Sequence, residues 1–314
     1  MPLPPSHLAN LAVLGALVTS IFATNYVVDP FNANRAVDLD FNKRDVTSKL
    51  SRWDWNVAEY TADPTPVILL GDSRMGNVDA ERVEEYLGLR TYNFAYGGGT
   101  VADMISTFWH ASELTELKHV VMGFNLNILN QSKSYDAAGQ AFELLDDPLR
   151  YYFSPFITGA TARTLWFNLG QGGAYSEKPP MDPEKFWQFK LNYGHQVYAT
   201  YTYPDKMLAR LREVVDHCHS HGIALTFLTF PTHTDLQDLV VEYQLVDARD
   251  RTRQALADMV PLWDYDVPNR VTRDPANFKD PFHFTEEAGE HLVDEIFGGK
   301  EWLGIKPKQS FPGR

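Results

Sequence analysis

Apolar positions follow different rules in different parts of this chain. Residues 8–28 form a near-continuous apolar run, broken only by Asn10, Thr19, Ser20, Thr24 and Asn25. Wound as a helix, such a run spans roughly 30 Å, about one hydrocarbon core. From residue 67 onward the pattern changes. Short apolar runs at 67–70, 91–95, 119–124, 223–230 and 262–265 read as buried strands. Between them lie stretches with apolar residues at helical spacing. One begins at Asn77 or Asp79, either of which could cap it, and runs to about 87. The stretch 100–117 puts Val101, Met104, Ile105 and Phe108 on one face. The stretch 204–221 turns Met207, Leu208, Leu211, Val214 and Val215 inward and closes at Gly222. Further helices are predicted over 245–259 and 285–297.

Continuous apolar strands alternating with helices imply a parallel sheet buried on both faces. Right-handed crossovers then give a doubly wound α/β domain over 67–300. It has five strands, and its site lies at their carboxyl ends. The stretch 126–203 breaks the alternation. It holds Trp166, Trp187, many tyrosines and a Gly170-Gln171-Gly172-Gly173 turn. It is too long for a crossover and reads as a large insertion after the third strand, capping the site and carrying specificity. Residues 29–66 are polar with scattered aromatics (Phe31, Phe41, Trp53, Trp55) and read as a stalk that packs onto the body. Residues 301–314 form a tail.

Charge narrows the partners. The net charge of −13 repels phosphate backbones, so no nucleic-acid partner is expected, and it argues against peripheral docking on anionic lipid. Cys218 is the single cysteine, so no intrachain disulfide can form. The apolar run at 1–28 reads best as an uncleaved membrane anchor. Ile21 and Ala23 make a poor cleavage site and no Lys or Arg precedes the run, which disfavours a cleaved signal peptide. A buried soluble helix is the third reading. The first basic residues, Arg35, Lys43 and Arg44, follow the span, and by themselves they would keep the body in the cytoplasm.

The chemistry-bearing segments fall at strand ends. Val67-Ile68-Leu69-Leu70 runs into Gly71-Asp72-Ser73, presenting a serine at a turn. Asp280-Pro281-Phe282-His283 places a carboxylate and an imidazole three residues apart. Together they are the parts of a serine nucleophile with its base and orienter. Asn93-Phe94-Ala95-Tyr96-Gly97-Gly98-Gly99-Thr100 follows the second strand, and its glycines let backbone N–H groups approach an anion. Gly123-Phe124-Asn125 ends the third strand, and Asn125 either offers a side-chain N–H to an oxyanion or serves as a capping or loop asparagine.

In this order the segments resemble the SGNH (GDSL-like) hydrolase superfamily, a flavodoxin-like α/β fold. Gly71-Asp72-Ser73 matches its first block. Asn93 to Thr100 matches the second, with Ala95 replacing a glycine. Gly123-Phe124-Asn125 matches the third, with Leu126 replacing an aspartate. Asp280 and His283 match the fifth. The resemblance implies a catalytic triad of Ser73, His283 and Asp280. It also implies an oxyanion hole made by the N–H groups of Ser73 and Gly98 and the Asn125 side chain. No metal or cofactor is required. The N-terminal span, Val28-Asp29-Pro30-Phe31 and Gly-Asp-Ser-Arg are together similar to membrane-anchored SGNH proteins of bacterial envelope polysaccharide O-acetylation and lipoteichoic acid D-alanylation. That similarity implies an inner-membrane protein with its body in the periplasm or outside the cell. It also implies an acylated carbohydrate substrate and a membrane-bound O-acyltransferase as partner.

The expected activity is therefore that of a membrane-anchored esterase or O-acyltransferase. A non-catalytic glycan-binding scaffold and a lipase or thioesterase are the alternatives. Arg74 is a candidate contact for a substrate carboxylate, with a salt bridge to Asp72 or Asp79 as the plainer reading. His233 is a second candidate contact, at the fourth strand's end, with an ordinary loop histidine as the plainer reading. His217, His219 and His221 close a helix, where histidines favour the dipole, and are not expected to bind metal.

Overall fold

The computed structural model describes residues 5–170 and 181–308. Five parallel strands form one sheet: β1 Val67–Gly71, β2 Thr91–Ala95, β3 His119–Phe124, β4 Ala224–Thr229 and β5 Leu262–Asp264, in the order β2-β1-β3-β4-β5. β1 is central and buried along its whole length. Its side chains alternate between two apolar faces. Leu69, Val121 and Leu228 share one face with Val83, Leu292 and Val293 of the helices Ala80–Leu87 and Glu286–Gly298. The helices Val101–Leu114 and Asp205–His221 pack on each other and reach β1 and β4 respectively. The arrangement is the doubly wound one. The strand order reverses at β1 and β3, and the crevice beyond their carboxyl ends is where such sheets hold ligands.

Local signals set the helix ends. Asp79 caps Ala80–Leu87, accepting the N–H groups of Glu81 and Arg82. Thr100 and Asp103 form a reciprocal capping box for Val101–Leu114. A short hairpin follows β5, made of β6 Phe278–Asp280 and β7 His283–Phe284.

The chain forms two compact units. One is Pro64–Ala137 with Pro180–Arg314, which contains the sheet; the other is Met1–Asp63 with Ala138–Pro179. This division departs from the sequence reading. Residues 29–63 pack on the middle of the 126–203 stretch: Phe31, Trp55 and Ala58 share a core with Tyr151, Tyr152 and Ile157. The stretch 126–203 is correspondingly split. Its middle, including the helix Pro155–Asn168, joins the N-terminal segment, and its two ends stay with the sheet. The aromatic side chains of both segments explain this, since each covers apolar surface that the other would leave wet. Of the glycine-rich turn, Gln171, Gly172 and Gly173 lie outside the described residues, as do residues 309–314 of the tail.

The N-terminal helix spans Pro5–Val28. Its stretch His7–Val28 is long and apolar enough to cross a membrane or act as a signal anchor. Leu8 is 55% exposed and Leu17 58%, so this part is not the buried core helix of the third reading. Near its end the polar Asn25 is buried. Its amide donates to the Tyr152 carbonyl (2.7 Å) and to Thr158 Oγ1 (2.9 Å).

Two buried carboxylates tie distant elements of the sheet unit. Asp294 accepts Arg82 Nε and Nη2 (2.7 and 2.8 Å) and the Tyr86 hydroxyl (2.7 Å). The Arg82 hydrogen bond, chiefly, holds its carboxyl far below the usual range. Asp264 is opposed by burial, yet Arg253, Lys308 and Thr229 pull its carboxyl below the usual value as well. Groups depressed in this way stabilise the fold fully above the unfolded-chain value of about 3.9 and lose that contribution as pH falls through the folded values. The urea midpoint is expected to be flat above about pH 5 and to fall steadily below about pH 4. Asp294→Asn is expected to flatten the fall.

Candidate active site

β1 leads directly to Ser73, the candidate nucleophile. Beyond Gly71 the chain enters a 3-10 turn, Ser73–Asn77, capped by Asp72, whose carboxylate accepts the Arg74 N–H at 3.0 Å. Asn93 of β2 steadies this turn by donating to the carbonyls of Met75 and Val78, both at 2.9 Å. Asn77 closes it against β7, its amide donating to the Phe284 carbonyl at 2.8 Å. The turn that carries the serine is thus fastened to the hairpin that carries the histidine.

Ser73 Oγ lies 2.6 Å from His283 Nε2. His283 Nδ1 lies 2.7 Å from Asp280 Oδ2. The other Asp280 oxygen accepts the N–H groups of Phe282 (2.9 Å) and His283 (3.3 Å), which fixes the carboxylate plane. Lys190 Nζ stands 3.7 Å from Asp280 Oδ2. Burial alone would raise the Asp280 carboxyl. The His283 hydrogen bond and charge, with Lys190, outweigh it and hold the group ionised below its ordinary value.

A cavity of about 250 Å³ opens beside these groups, and Ser73 and His283 line it. Gly98 and Gly99 form one wall. Gly98 has φ +78°, a conformation that L side chains rarely adopt. Among the described residues, the N–H groups of Ser73 and Gly98 donate to no protein carbonyl. The far wall comes from both ends of the 126–203 stretch. Lys133 donates to the Tyr193 hydroxyl at 2.8 Å, and Phe189 and Lys190 come from the helix Pro183–Ala199.

Asn125 is placed differently from the expectation, and Arg74 and His233 have protein partners of their own. Asn125 does not reach the cavity. At the end of β3 its amide donates to the Phe230 carbonyl at 2.8 Å, joining β3 to the end of β4. The chain then makes a helical turn, Ile128 and Leu129 N–H bonding to the Asn125 carbonyl, which swings Asn127 to the cavity instead. Asn127 Oδ1 accepts Arg74 Nη2 at 2.8 Å. Its Nδ2 has no protein acceptor among the described residues. Arg74 also lines the cavity; it is 1% exposed and is held by Asp72 and Asn127, the salt bridge of the plainer reading, while its Nη1 has no partner among the described residues. His233 lies outside the cavity lining. Its Nδ1 accepts the Asp235 N–H at 3.1 Å, capping the helix Thr234–Glu242, and its ring meets Trp187 edge-on at 4.9 Å. Its strand-end position is real, but the cap uses the ring.

The sequence offered no cue to Lys133, Phe189, Lys190 or Tyr193, because nothing in an irregular insertion says which side chains turn inward. Asn127 had a cue: it is the second asparagine of Gly123-Phe124-Asn125-Leu126-Asn127. Among the described residues no group of three or more His, Cys, Asp or Glu side chains could hold a metal ion. His217 and His221 stack with ring centroids 4.0 Å apart.

A hydroxyl, an imidazole and a carboxylate in hydrogen-bond series, at the carboxyl ends of a parallel α/β sheet, are what this site consists of. No family model matches the chain, and no curated protein matches it. Among solved structures it is similar to a Bacteroides fragilis protein provisionally assigned as an acylhydrolase. The two are 14% identical, the match covers 77% of this chain and 91% of that one, and the TM-score is 0.41.

Proposed function

We propose that the chain is a membrane-anchored serine esterase or O-acyltransferase of the SGNH kind, acting on short acyl esters of a carbohydrate. The observation that carries this reading is the Ser73–His283–Asp280 series, with contacts of 2.6 and 2.7 Å beside an open cavity. His283 Nε2 takes the Ser73 proton as Oγ adds to the ester carbonyl. Asp280 holds the proton on Nδ1 and balances the imidazolium charge. The tetrahedral oxyanion receives the N–H groups of Ser73 and Gly98 and the Asn127 amide. When it collapses, the imidazolium returns its proton to the departing alkoxide, leaving the acyl group on Ser73. Water then gives the free acid, or a sugar hydroxyl gives a new ester, with His283 again moving the proton.

Two features narrow the substrate. A cavity of about 250 Å³ falls just under the usual range of about 300–1,000 Å³ for drug-sized ligands. It suits an acetyl-sized group better than a lipid chain. Phe189, Tyr193 and Phe282 border it and supply ring faces of the kind that pack on sugars. The exposed apolar helix supports anchoring, with the body on the outer side of the membrane and a membrane-bound acyltransferase as a natural donor.

One experiment tests chemistry and orientation together. A membrane-impermeant fluorophosphonate added to intact cells is expected to label Ser73, located by peptide mass spectrometry, and not to label His283→Ala. Absence of labelling even after lysis overturns the activated serine. Labelling only after lysis overturns the orientation. Asn127→Ala is expected to lower kcat for an acetyl ester by about 10²–10³ with little change in KM, the signature of a lost oxyanion donor. Asn125→Ala, by contrast, is expected to act on stability.

A further inference from the structure

The unit formed by the N-terminal segment and the middle insertion holds a second cavity, of about 450 Å³. It begins where the apolar helix ends. Asp29, the residue after that helix, is fully buried with φ +46°. Its carboxylate collects the N–H groups of Ala33 (2.8 Å), Asn34 (3.0 Å) and Arg35 (3.0 Å). The turn pins Arg35 to the helix end. The chain then returns through 36–43, and this return, with Trp55 of the helix Arg52–Ala62, walls the cavity.

The lining is rich in donors that lack acceptors. Lys43 is 8% exposed as a residue, and among the described residues its ammonium meets no carboxylate and no carbonyl. Trp55 is 6% exposed, and its indole N–H is buried without an acceptor, although buried tryptophans usually find one. Arg44 has no side-chain partner among the described residues. Among the described residues Arg35 reaches the carbonyls of Asn32 and Glu59 alone, at 3.4 and 3.5 Å. The single carboxylate in the lining, Asp38, accepts the Asp40 N–H. Three cations thus line the cavity with one anion, beside an indole N–H that is buried without an acceptor, in a chain whose net charge is −13. The overall charge opposes adsorption on anionic surfaces in general, so this concentration of positive charge is local and specific.

We infer that this cavity binds a phosphate-bearing group. A phosphate offers several acceptor oxygens and negative charge, which is what Lys43, Arg35, Arg44 and Trp55 lack. If the apolar helix crosses a bilayer, the cavity lies at its foot, at the level of lipid headgroups. An anionic lipid headgroup and a free phosphate compound share the required chemistry, and the experiment separates them.

The full-length protein is labelled with ¹⁵N at tryptophan indoles, and the Trp55 signal is assigned with Trp55→Phe. It is titrated with inorganic phosphate in neutral detergent. It is also compared in phosphatidylcholine nanodiscs with and without phosphatidylglycerol. The Trp55 signal is expected to shift downfield as its N–H gains an acceptor. Lys43→Gln is expected to weaken binding by about tenfold, the loss of one charge-assisted hydrogen bond. Arg44→Gln, at an exposed position that does not threaten folding, is expected to weaken it in the same direction. A response to phosphatidylglycerol alone assigns the site to lipid. A response to inorganic phosphate in detergent assigns it to soluble phosphates. A Trp55 signal indifferent to both, or unchanged affinity in both charge variants, overturns the inference.

Discussion

Ser73→Ala is expected to lower kcat for an acetyl ester by about a million-fold while leaving the fold intact. The size follows from the geometry. Without Oγ there is no acyl acceptor for His283 to activate, and only the oxyanion donors remain, as passive stabilisers of attack by water. Ser73 is partly exposed at the cavity, and among the described residues its hydroxyl bonds only to His283, so its loss is expected to spare the fold. Circular dichroism and the urea midpoint should match the parent. His283→Ala should cost about as much, and the double variant no more than either single one, because the two groups act as one device. Asp280→Asn should cost about 10⁴, since an amide cannot both hold the Nδ1 proton and balance the imidazolium. Substantial ester turnover by Ser73→Ala would assign the chemistry to another residue.

Gly289→Ala is expected to be the most damaging single methyl group in the sheet unit. A Cβ at Gly289 would lie 1.9 Å from the Asn77 carbonyl oxygen and 2.9 Å from its carbon. Both are backbone atoms, so no rotamer change can relieve the contact, and the helix or the serine turn must move. The expected loss is about 3 kcal/mol or more, at the upper end of overpacking effects, read as a lower urea midpoint with an unchanged slope. Activity should fall further than stability explains, because Asn77 is the residue that fastens the serine turn to β7. Gly298 offers the control. A Cβ there meets the far end of the Tyr86 side chain at 2.7 Å, a neighbour that can swing aside, and catalysis should survive Gly298→Ala.

The sheet was legible because its strands are short apolar runs that tolerate no other environment. β2 and β3 occupy the residues expected from alternation alone, and the fourth and fifth strands differ only at their ends. Ser73, Asp280 and His283 were legible because each lies at a strand end or hairpin where the backbone, not long-range packing, sets its direction. Asn125 was misplaced for a related reason. A strand end fixes where a residue sits but not whether its amide faces a ligand or a neighbouring carbonyl, and here the Phe230 carbonyl claims it. The helices Pro183–Ala199 and Thr234–Glu242 lay hidden among mixed aromatic and polar residues. The partnership of residues 29–63 with 138–170 was invisible, because it joins segments separated by the first three strands and no local pattern encodes which distant apolar surface will meet another.

The serine and its histidine are 210 positions apart in a chain of 314 residues. During synthesis the hydroxyl emerges long before its base exists, and the Asn77–Phe284 clasp can close only when the final hairpin arrives. If the proposed function holds, a polypeptide that stops short of this hairpin has the hydroxyl without its base and is expected to be inert toward esters.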